Sequence, residues 1–323
     1  MKHLTRRYKA LFNPDMYHGW GKRKQYFEGW YFKFVNKDKS LAFAVIPGIS
    51  MDKNGTAHSF IQVLDGLHAQ SSYHHFSGSD FVPSARGFAL QLGENFFSPH
   101  KVNLNLPGLK ADIHIHDSFP WPKHIGAPGV MGWFSLVPFM ECYHGVVSMN
   151  HTLSGSVEWN GKTYDMESGL GYIEKDWGRS FPKSWIWMQS NHFDYSGQCS
   201  FMFSLAHIPW LRSHFNGFLG GLLLDGKLHR FATYTGAKVN GMVNQEKVEL
   251  EIKQGSKTVL IHAFKNKGSD LISPINGEMK GKVNESLVSH IDLLFKDKQQ
   301  VLFESKSNIA GLEVAGEAHL LFK

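Results

Sequence analysis

One short segment, residues 171–191, combines acidic, basic and tryptophan side chains within a few positions of one another. Its acids are Glu174 and Asp176, and three tryptophans follow them: Trp177, Trp185 and Trp187. A carboxyl group held among aromatic rings can keep its proton at neutral pH and give it to a substrate, which is general acid catalysis. A second interpretation is structural, in which Glu174 and Asp176 form ion pairs with Arg179 or Lys183.

The end of this segment has the alternation of a β-strand. If residues 185–191 form a strand, side chains two positions apart lie on the same face. That face would carry two tryptophans and two amides, namely Trp185, Trp187, Gln189 and Asn191. Aromatic rings with a few amides are typical of a ligand cavity, so we expect these four residues to contact a hydrophobic small molecule.

Glu28 lies in a second aromatic-rich segment, residues 25–33, two positions before Trp30. Burial among these rings would raise the pKa of the Glu28 carboxyl and make it a candidate proton donor. The alternative is that a Lys or Arg bridges this carboxylate, as is common for a glutamate near the start of a strand.

A third segment, residues 131–145, is an apolar run that contains Trp133 and closes with Glu141 and His144. It could bring an acid to an apolar pocket, and the three residues are therefore candidate substrate contacts. The other interpretation is a barrel lid whose polar residues face solvent.

Metal and nucleophile chemistry have weaker signals in this sequence. Asp112, His114 and His116 would share one strand face, with His74 and His75 upstream, but histidine is abundant throughout the chain and we expect no metal. No Gly-x-Ser-x-Gly motif is present, and neither cysteine has a local signature of a nucleophile.

The elements that must position these groups are predicted to be β-strands. Residues 26–35 are apolar at both parities, which predicts a strand covered on both faces, and residues 247–253 alternate strictly. Asn160-Gly161 and Asp225-Gly226 each separate two such runs and predict type I′ hairpin turns. Short helices are expected only at 5–11 and 209–214. The pattern predicts an all-β protein of two antiparallel β-barrels packed together.

Length and composition agree with two domains. The chain has 323 residues, a length that favours two ordinary domains or one large one. We predict that the first domain comprises residues 1–180 and the second residues 181–323. Two cysteines and the lack of a secretory signal predict a cytoplasmic protein. The net charge of +6 does not indicate nucleic-acid binding. Basic clusters at 6–7 and 22–24 predict solvated ends or a weak peripheral contact with an anionic membrane.

Several stretches together resemble the tocopherol cyclase family. They are Phe27–Lys33, Gly155–Gly161, Tyr172–Gly178, Phe181–Gln189, Val301–Ser307 and Leu312–Gly316. The stretches occur in the same order along this chain as in the family. The chain also resembles, more distantly, the carotenoid hydratase group and its lipocalin-like relatives. The resemblance implies two lipocalin-like barrels.

The resemblance also implies a reaction. Enzymes of this family close a prenylated hydroquinone into a chromanol, in which an acid protonates the prenyl double bond and the phenol oxygen captures the carbocation. This is an intramolecular lyase type of isomerisation that consumes no cofactor. The matching candidates here are three acids, Asp176, Glu174 and Glu28, and four aromatic walls, Trp30, Trp177, Trp185 and Trp187.

One departure affects the expected donor, because the plant enzymes read Glu-Lys-Asn-Trp where this chain reads Glu-Lys-Asp-Trp, with Asp176 in place of the amide. The other function that fits the same features is a non-catalytic lipocalin-like carrier of an isoprenoid or lipid.

Overall fold

The computed structural model describes residues 2–322. Residues 1 and 323, the outer limits of the two predicted domains, lie outside that range. The described chain divides into two compact units. Unit 1 contains residues 2–65, 71–181 and 272–282, and unit 2 contains residues 66–70, 182–271 and 283–322. The domain boundary placed between residues 180 and 181 remains a prediction.

Unit 1 begins with helix α1, Lys2–Leu11, and is built on one antiparallel sheet. Its strands are β1 Tyr26–Val35, β2 Ala42–Met51, β3 Ala57–Asp65, β4 Gln70–Ser77, β5 Phe81–Pro83, β6 Leu90–Leu92, β7 Asn95–Phe97, β8 Lys101–Leu106, β9 Leu109–His116, β10 Cys142–Trp159, β11 Lys162–Asp165 and β12 Leu170–Gly178. The strand order is β4-β3-β2-β1-β12-β10-β9-β8-β7-β6-β5, and β11 pairs with β10. Short 3₁₀ helices lie at Gly78–Asp80 and Gly132–Leu136.

Unit 2 is built on a second antiparallel sheet. The strands of this sheet are β13 Trp185–Ser190, β14 Cys199–Trp210, β15 Ser213–Leu224, β16 Lys227–Ala232, β17 Lys238–Val243, β18 Lys247–Gln254, β19 Lys257–Phe264, β20 Ser269–Ile275, β21 Glu278–Asp297 and β22 Gln300–Ala315. Residues 272–275 of β20 and 278–282 of β21 are among those of unit 1. The order is β16-β15-β14-β13-β22-β21-β19-β18-β17, with β20 on β21. Short 3₁₀ helices lie at Thr233–Thr235 and Ala318–Phe322.

The all-β antiparallel class is confirmed, but the predicted closure into barrels is not. Across residues 2–322, neither sheet pairs its last strand with its first, so β4 and β5 end one sheet and β16 and β17 end the other. The sequence predicted closure because closure removes unpaired strand edges. The edge strand β5 is only three residues long, and short edge strands also limit exposed backbone.

Both predicted Asx-Gly hairpin turns are confirmed. Asn160 and Gly161, with φ of 50° and 81°, turn the chain from β10 into β11, and Asp225 and Gly226 connect β15 to β16 in the same way. The helix expected at 209–214 is wrong. Residues 211–212 instead form a tight turn between β14 and β15, with Leu211 at a φ of 53°.

Each unit has its own apolar core. In unit 1, both faces of β1 are almost fully buried, as its doubly apolar sequence predicted, and Tyr26, Trp30, Phe32 and Phe34 point into the core. In unit 2, the alternating strand β18 contributes Val248, Leu250 and Ile252 to the core. Strand β1 lies between β2 and β12, and β12 lies between β1 and β10. The groups that could do chemistry lie on these central strands.

Among residues 2–322, none of the helices has the length and apolar character required to cross a membrane.

Candidate functional site

Strand β12 carries charged residues on both of its faces. Because strand side chains alternate, Tyr172, Glu174 and Asp176 lie on one face while Lys175 lies with Trp177 on the other. Trp177 belongs to the unit 1 core, so the Lys175 face is the core face and the Glu174 face points away from it. Each set of charges therefore has its own partners.

On the face away from the core, His144 of β10 lies directly opposite Asp176 of β12. Its Nδ1 is 2.9 Å from the Asp176 Oδ1, and its Nε2 is 3.5 Å from the Glu174 Oε2. The Tyr172 hydroxyl donates a hydrogen bond of 2.7 Å to the same Glu174 oxygen. These four residues form what we call the carboxylate–histidine cluster. One imidazole thus lies within ion-pair distance of two carboxyl groups.

The members of this cluster differ in exposure. The Glu174 and His144 side chains are 6% and 12% exposed, whereas the Asp176 side chain is 25% exposed. Burial and the neighbouring Glu174 carboxylate raise the pKa of Tyr172 well above its usual value, so its hydroxyl stays a donor. Gly29 lies opposite Asp176 on β1 and adds no side chain over it. Asp176 is therefore the most accessible acid of the cluster.

The core face of β12 holds a buried ion pair. The Lys175 Nζ lies 2.5 Å from the Glu28 Oε1, and both side chains are fully buried. The carboxylate also accepts hydrogen bonds from the Tyr26 hydroxyl and from the backbone N–H groups of His18 and Gly19. A buried charge is tolerated only when it is paired and hydrogen-bonded in this manner.

The pKa values of this pair follow from burial and from the partner. Burial acts to raise the pKa of Glu28, but the charge of Lys175 and the hydrogen bond with His18 outweigh it and lower that pKa. Burial lowers the pKa of Lys175 to about 8, with Glu28 acting in the opposite direction. The predicted rise of the Glu28 pKa is therefore wrong, and the alternative of a bridging lysine describes the geometry.

Trp30 and Trp177 pack around the lysine. The Lys175 Nζ lies 4.7 Å from the ring centroid of Trp30 and 4.6 Å from that of Trp177, within cation–π range. Trp177 also stacks on His18 at 4.1 Å, and Trp30 stacks on Phe88 at 5.0 Å. The cation that these two tryptophans contact is thus Lys175 itself.

The ion pair also anchors residues 14–19 to the sheet. The Lys175 Nζ donates to the carbonyls of Pro14, at 3.0 Å, and Met16, and it lies 2.8 Å from the His18 Nδ1. The His18 Nε2 lies 2.9 Å from the Ala10 carbonyl at the end of α1. Burial and Lys175 lower the pKa of His18, which fits a neutral ring that accepts at Nδ1 and donates at Nε2.

The remaining predicted site residues of unit 1 lie outside the cluster. Trp133 is in the 3₁₀ helix Gly132–Leu136, is 48% exposed and stacks on Phe134 at 4.0 Å. Glu141 directly precedes β10, and its carbonyl accepts a hydrogen bond of 2.8 Å from the Arg179 backbone N–H. The Arg179 side chain donates through Nε to Asn276 at 2.9 Å.

Four predicted contacts belong to unit 2. Trp185, Trp187 and Gln189 share one face of β13, while Ile186 and Met188 of the other face enter the unit 2 core. The Trp185 Nε1 donates to the Glu313 Oε2 at 2.7 Å, and Asn191 follows the end of the strand. Their contact with a ligand remains a prediction.

The carboxylate–histidine cluster also has the donor set of a metal site. One ligand atom from each of His144, Glu174 and Asp176 lies within 4.8 Å of the others. An imidazole and two carboxylates suit several divalent metals. The site suspected around Asp112 is different, because Asp112 forms an ion pair of 3.0 Å with Lys101 and the His116 ring bonds to Ser154.

Sequence reasoning missed several residues of both faces. Lys175 was not among the predicted site residues, although strand alternation places it on the face opposite to Glu174 and Asp176. The same period places Tyr172 beside Glu174. His18 has no sequence signal, because its place depends on a contact between segments 157 residues apart.

The all-β antiparallel fold of this chain is similar to that of a solved structure. The crystal structure of a putative AttH from Nitrosomonas europaea superposes with a TM-score of 0.55 over 90% of this chain and 92% of that chain, at 10% identity. At this identity the likeness concerns the fold alone.

Comparison of the sequence with family models identifies the family of this chain. Residues 109–316, more than half of the chain, match the model of the tocopherol cyclase-like family, and the chain belongs to that family. The match includes β10, β12 and with them all four residues of the carboxylate–histidine cluster.

Two curated relatives are plant proteins of the chloroplast. A probable tocopherol cyclase of Oryza sativa subsp. japonica is 26% identical over 196 residues, and the tocopherol cyclase of Zea mays is 25% identical over 206 residues. Each alignment covers 57% of this chain but only 42% and 41% of the respective relative. The chain thus matches less than half the length of these relatives.

Proposed function

We propose that this protein closes a prenylated hydroquinone into a chromanol by acid catalysis, an isomerisation of the intramolecular lyase type. The observation that carries the proposal is the placement of His144 between Asp176 and Glu174 on one sheet face. Membership of the tocopherol cyclase-like family supports the choice of substrate class.

The reaction needs one group that gives a proton and one that takes a proton. Asp176, the more exposed acid, gives a proton to the prenyl double bond, and a tertiary carbocation forms. The phenol oxygen then bonds to the cationic carbon, and the phenol proton passes to Glu174. A hydrogen bond donated to a carboxylate stabilises its negative charge, and Tyr172 supplies one to Glu174.

To complete the cycle, His144 takes the proton of Glu174 at Nε2 and gives its Nδ1 proton to Asp176, and proton exchange with solvent restores the original tautomer. Its two ring nitrogens face the two carboxyl groups, at 2.9 Å and 3.5 Å. Atoms and charge then balance, because the product has the composition of the substrate. Glu28 takes no part in this scheme, since its carboxylate is neutralised by Lys175 on the other face of β12.

The test is turnover of prenylated hydroquinones of several chain lengths by the purified protein, followed as a product of unchanged mass and shifted retention. We expect Asp176→Asn and Glu174→Gln each to lower kcat by roughly 100-fold or more, the usual contribution of a general acid or base. The matched control is Asp112→Asn, because exposed Asp112 lies 3.5 Å from the His114 Nε2 in a similar Asp–His pair. It should retain full activity.

Two results would contradict the proposal. One is an Asp176→Asn variant that turns over like the wild type, and the other is no turnover on any substrate. Native mass spectrometry separates the second result from the alternative function. A co-purified isoprenoid or lipid without turnover would identify a carrier.

The cytoplasmic location stays a prediction.

A further inference from the structure

Helix α1 presents an apolar stripe to solvent. Leu4, Tyr8 and Leu11 are 68%, 69% and 38% exposed, and their spacing of four and three positions places them on one side of the helix. Tyr8 also contacts Phe12 edge to face at 5.4 Å, so this residue extends the stripe. An exposed row of large apolar side chains on a single helix is a feature of interaction surfaces.

The other side of α1 is fixed to unit 1. Ala10 is buried, the Arg6 guanidinium lies 4.4 Å from the Trp20 ring centroid, and His3 packs on the same ring at 6.5 Å. The His18 ring holds the Ala10 carbonyl at 2.9 Å. The helix is therefore held in an orientation that keeps Leu4, Tyr8 and Leu11 outward.

The charged side chains of α1 and of residues 22–24 are all basic. The α1 sequence contains Lys2, Arg6, Arg7 and Lys9 and no acidic residue. Residues 22–24, Lys-Arg-Lys, are exposed and follow Gly21, where an added Cβ would lie 4.0 Å from the His3 Cβ of α1. The two basic clusters that the sequence analysis singled out thus adjoin each other on unit 1.

A surface cavity of about 330 Å³ lies beside the helix. Its lining residues are Thr5, Arg6, Lys9, Ala85 and Arg86, of which three are cationic and none is acidic. Converging Arg and Lys side chains with a hydroxyl are the donors that bind a phosphate group.

We propose that α1 is a docking surface for an anionic lipid membrane. Leu4, Tyr8 and Leu11 enter the interface between headgroups and acyl chains, while Arg7, Lys9 and residues 22–24 face the anionic headgroups. The cavity beside Arg6 and Arg86 receives a headgroup phosphate. Basic helices with one apolar face lie in the membrane plane in this manner, and each added lysine or arginine strengthens the attraction.

The charge distribution favours a lipid surface over other occupants. A nucleic acid would use the basic groups but leaves the apolar stripe without a function. The stripe and the positive charge are used together only at an interface that is apolar and anionic at once. The surface also lies outside the family match, which begins at residue 109, so the proposal does not depend on the proposed cyclase activity.

The test is flotation of the full chain with two kinds of vesicle, phosphatidylcholine alone and phosphatidylcholine mixed with phosphatidylglycerol in a two-to-one ratio. We expect binding to the mixed vesicles to be at least about tenfold tighter, with binding weakened by salt. The double variants Leu4→Ser with Tyr8→Ser, and Arg7→Gln with Lys9→Gln, should each lose about tenfold in binding to mixed vesicles.

The matched controls are Leu211→Ser, at a leucine that is 80% exposed in unit 2, and Lys110→Gln, at an exposed lysine of β9. Both should bind like the wild type, and circular dichroism should show the same fold for every variant. Equal binding to both vesicles, no binding, or full binding by either double variant would overturn the proposal. The proposal would also be overturned if inorganic phosphate inhibited vesicle binding more than chloride does at equal ionic strength while the double variant Leu4→Ser with Tyr8→Ser bound like the wild type.

Discussion

Burial determines the protonation of individual residues in unit 1. His151 on β10 is fully buried, with its Nδ1 3.0 Å from the Ser148 hydroxyl, and burial lowers its pKa to about 3. Gly171 on β12 is the residue that makes room for it, because a Cβ there would lie only 2.2 Å from the His151 Nε2. The neutral ring therefore fills a space that the neighbouring strand leaves open.

His151 should make the stability of the protein depend on pH. Its folded pKa of about 3 lies below the unfolded value of 6.5, so the unfolded chain binds more protons between these values. The contribution is complete above about pH 6.5 and is lost as the pH falls toward 3, at up to about 1.4 kcal/mol per pH unit. We expect the difference in free energy of unfolding between wild type and His151→Gln to shrink by that slope between about pH 6 and about pH 5.

Urea unfolding at each pH measures this difference. Above about pH 7.5 both states are neutral at residue 151, and the difference should be constant there, which is the internal control. Parallel curves for wild type and variant below pH 6.5 would show that His151 is protonated equally in both states.

At the scale of elements, the pairing of β1 with β12 organises both candidate faces. Trp30 lies opposite Lys175 and Glu28 opposite Trp177, so Glu28 and Lys175 are diagonal neighbours on the core face. Their ion pair joins the two strands and holds residues 14–19 against them. On the reverse face, the pairing of β12 with β10 brings His144 to Asp176.

Breaking this ion pair should destabilise unit 1 strongly. Glu28→Gln leaves the buried Lys175 charge without compensation, and we expect a loss of about 3–5 kcal/mol in the free energy of unfolding. The double variant Glu28→Gln with Lys175→Met removes both charges and should lose less than Glu28→Gln alone. Urea unfolding of wild type, both single variants and the double variant gives the coupling energy.

Glu158→Gln is the matched control for this cycle, because Glu158 is an exposed glutamate of β10 in the same sheet. Its effect should stay within about 0.5 kcal/mol. If the losses in free energy of unfolding caused by Glu28→Gln and by Lys175→Met were additive, the ion pair would not contribute to holding β1 against β12.

At the scale of the whole molecule, each unit depends on its own apolar core and not on covalent links. Cys142 in unit 1 and Cys199 in unit 2 are both free. Burial, with Asp176 nearby, raises the pKa of the Cys142 thiol, and burial with Asp225 raises that of Cys199. A thiol with a raised pKa contains little of the reactive thiolate.

The folded protein should therefore be insensitive to reductant and slow toward thiol reagents. We expect the urea midpoint to be the same with and without dithiothreitol. A chromogenic disulfide reagent should react slowly with the folded chain and rapidly with 2 thiols once urea has unfolded it. Rapid reaction of either thiol in the folded protein would contradict the raised pKa of that cysteine.

Much of the secondary structure could be predicted because its signals are local. The Asn160-Gly161 and Asp225-Gly226 turns follow from the positive φ that such dipeptides adopt. The helix at 209–214 was mispredicted, because pairing of β14 with β15 overrides the weak local preference of those residues. Barrel closure was also mispredicted, since it depends on which strands end a sheet.

The sequence by itself determined the all-β class, the doubly buried strand β1, and the sharing of one face by Trp185, Trp187 and Gln189, because alternation along a strand is a property of the local chain. Only the tertiary structure decided that His144 lies between the carboxyls of Glu174 and Asp176 and that Lys175 neutralises Glu28. These contacts depend on strand order and register, which join segments up to 147 residues apart, and no local pattern encodes such a pairing.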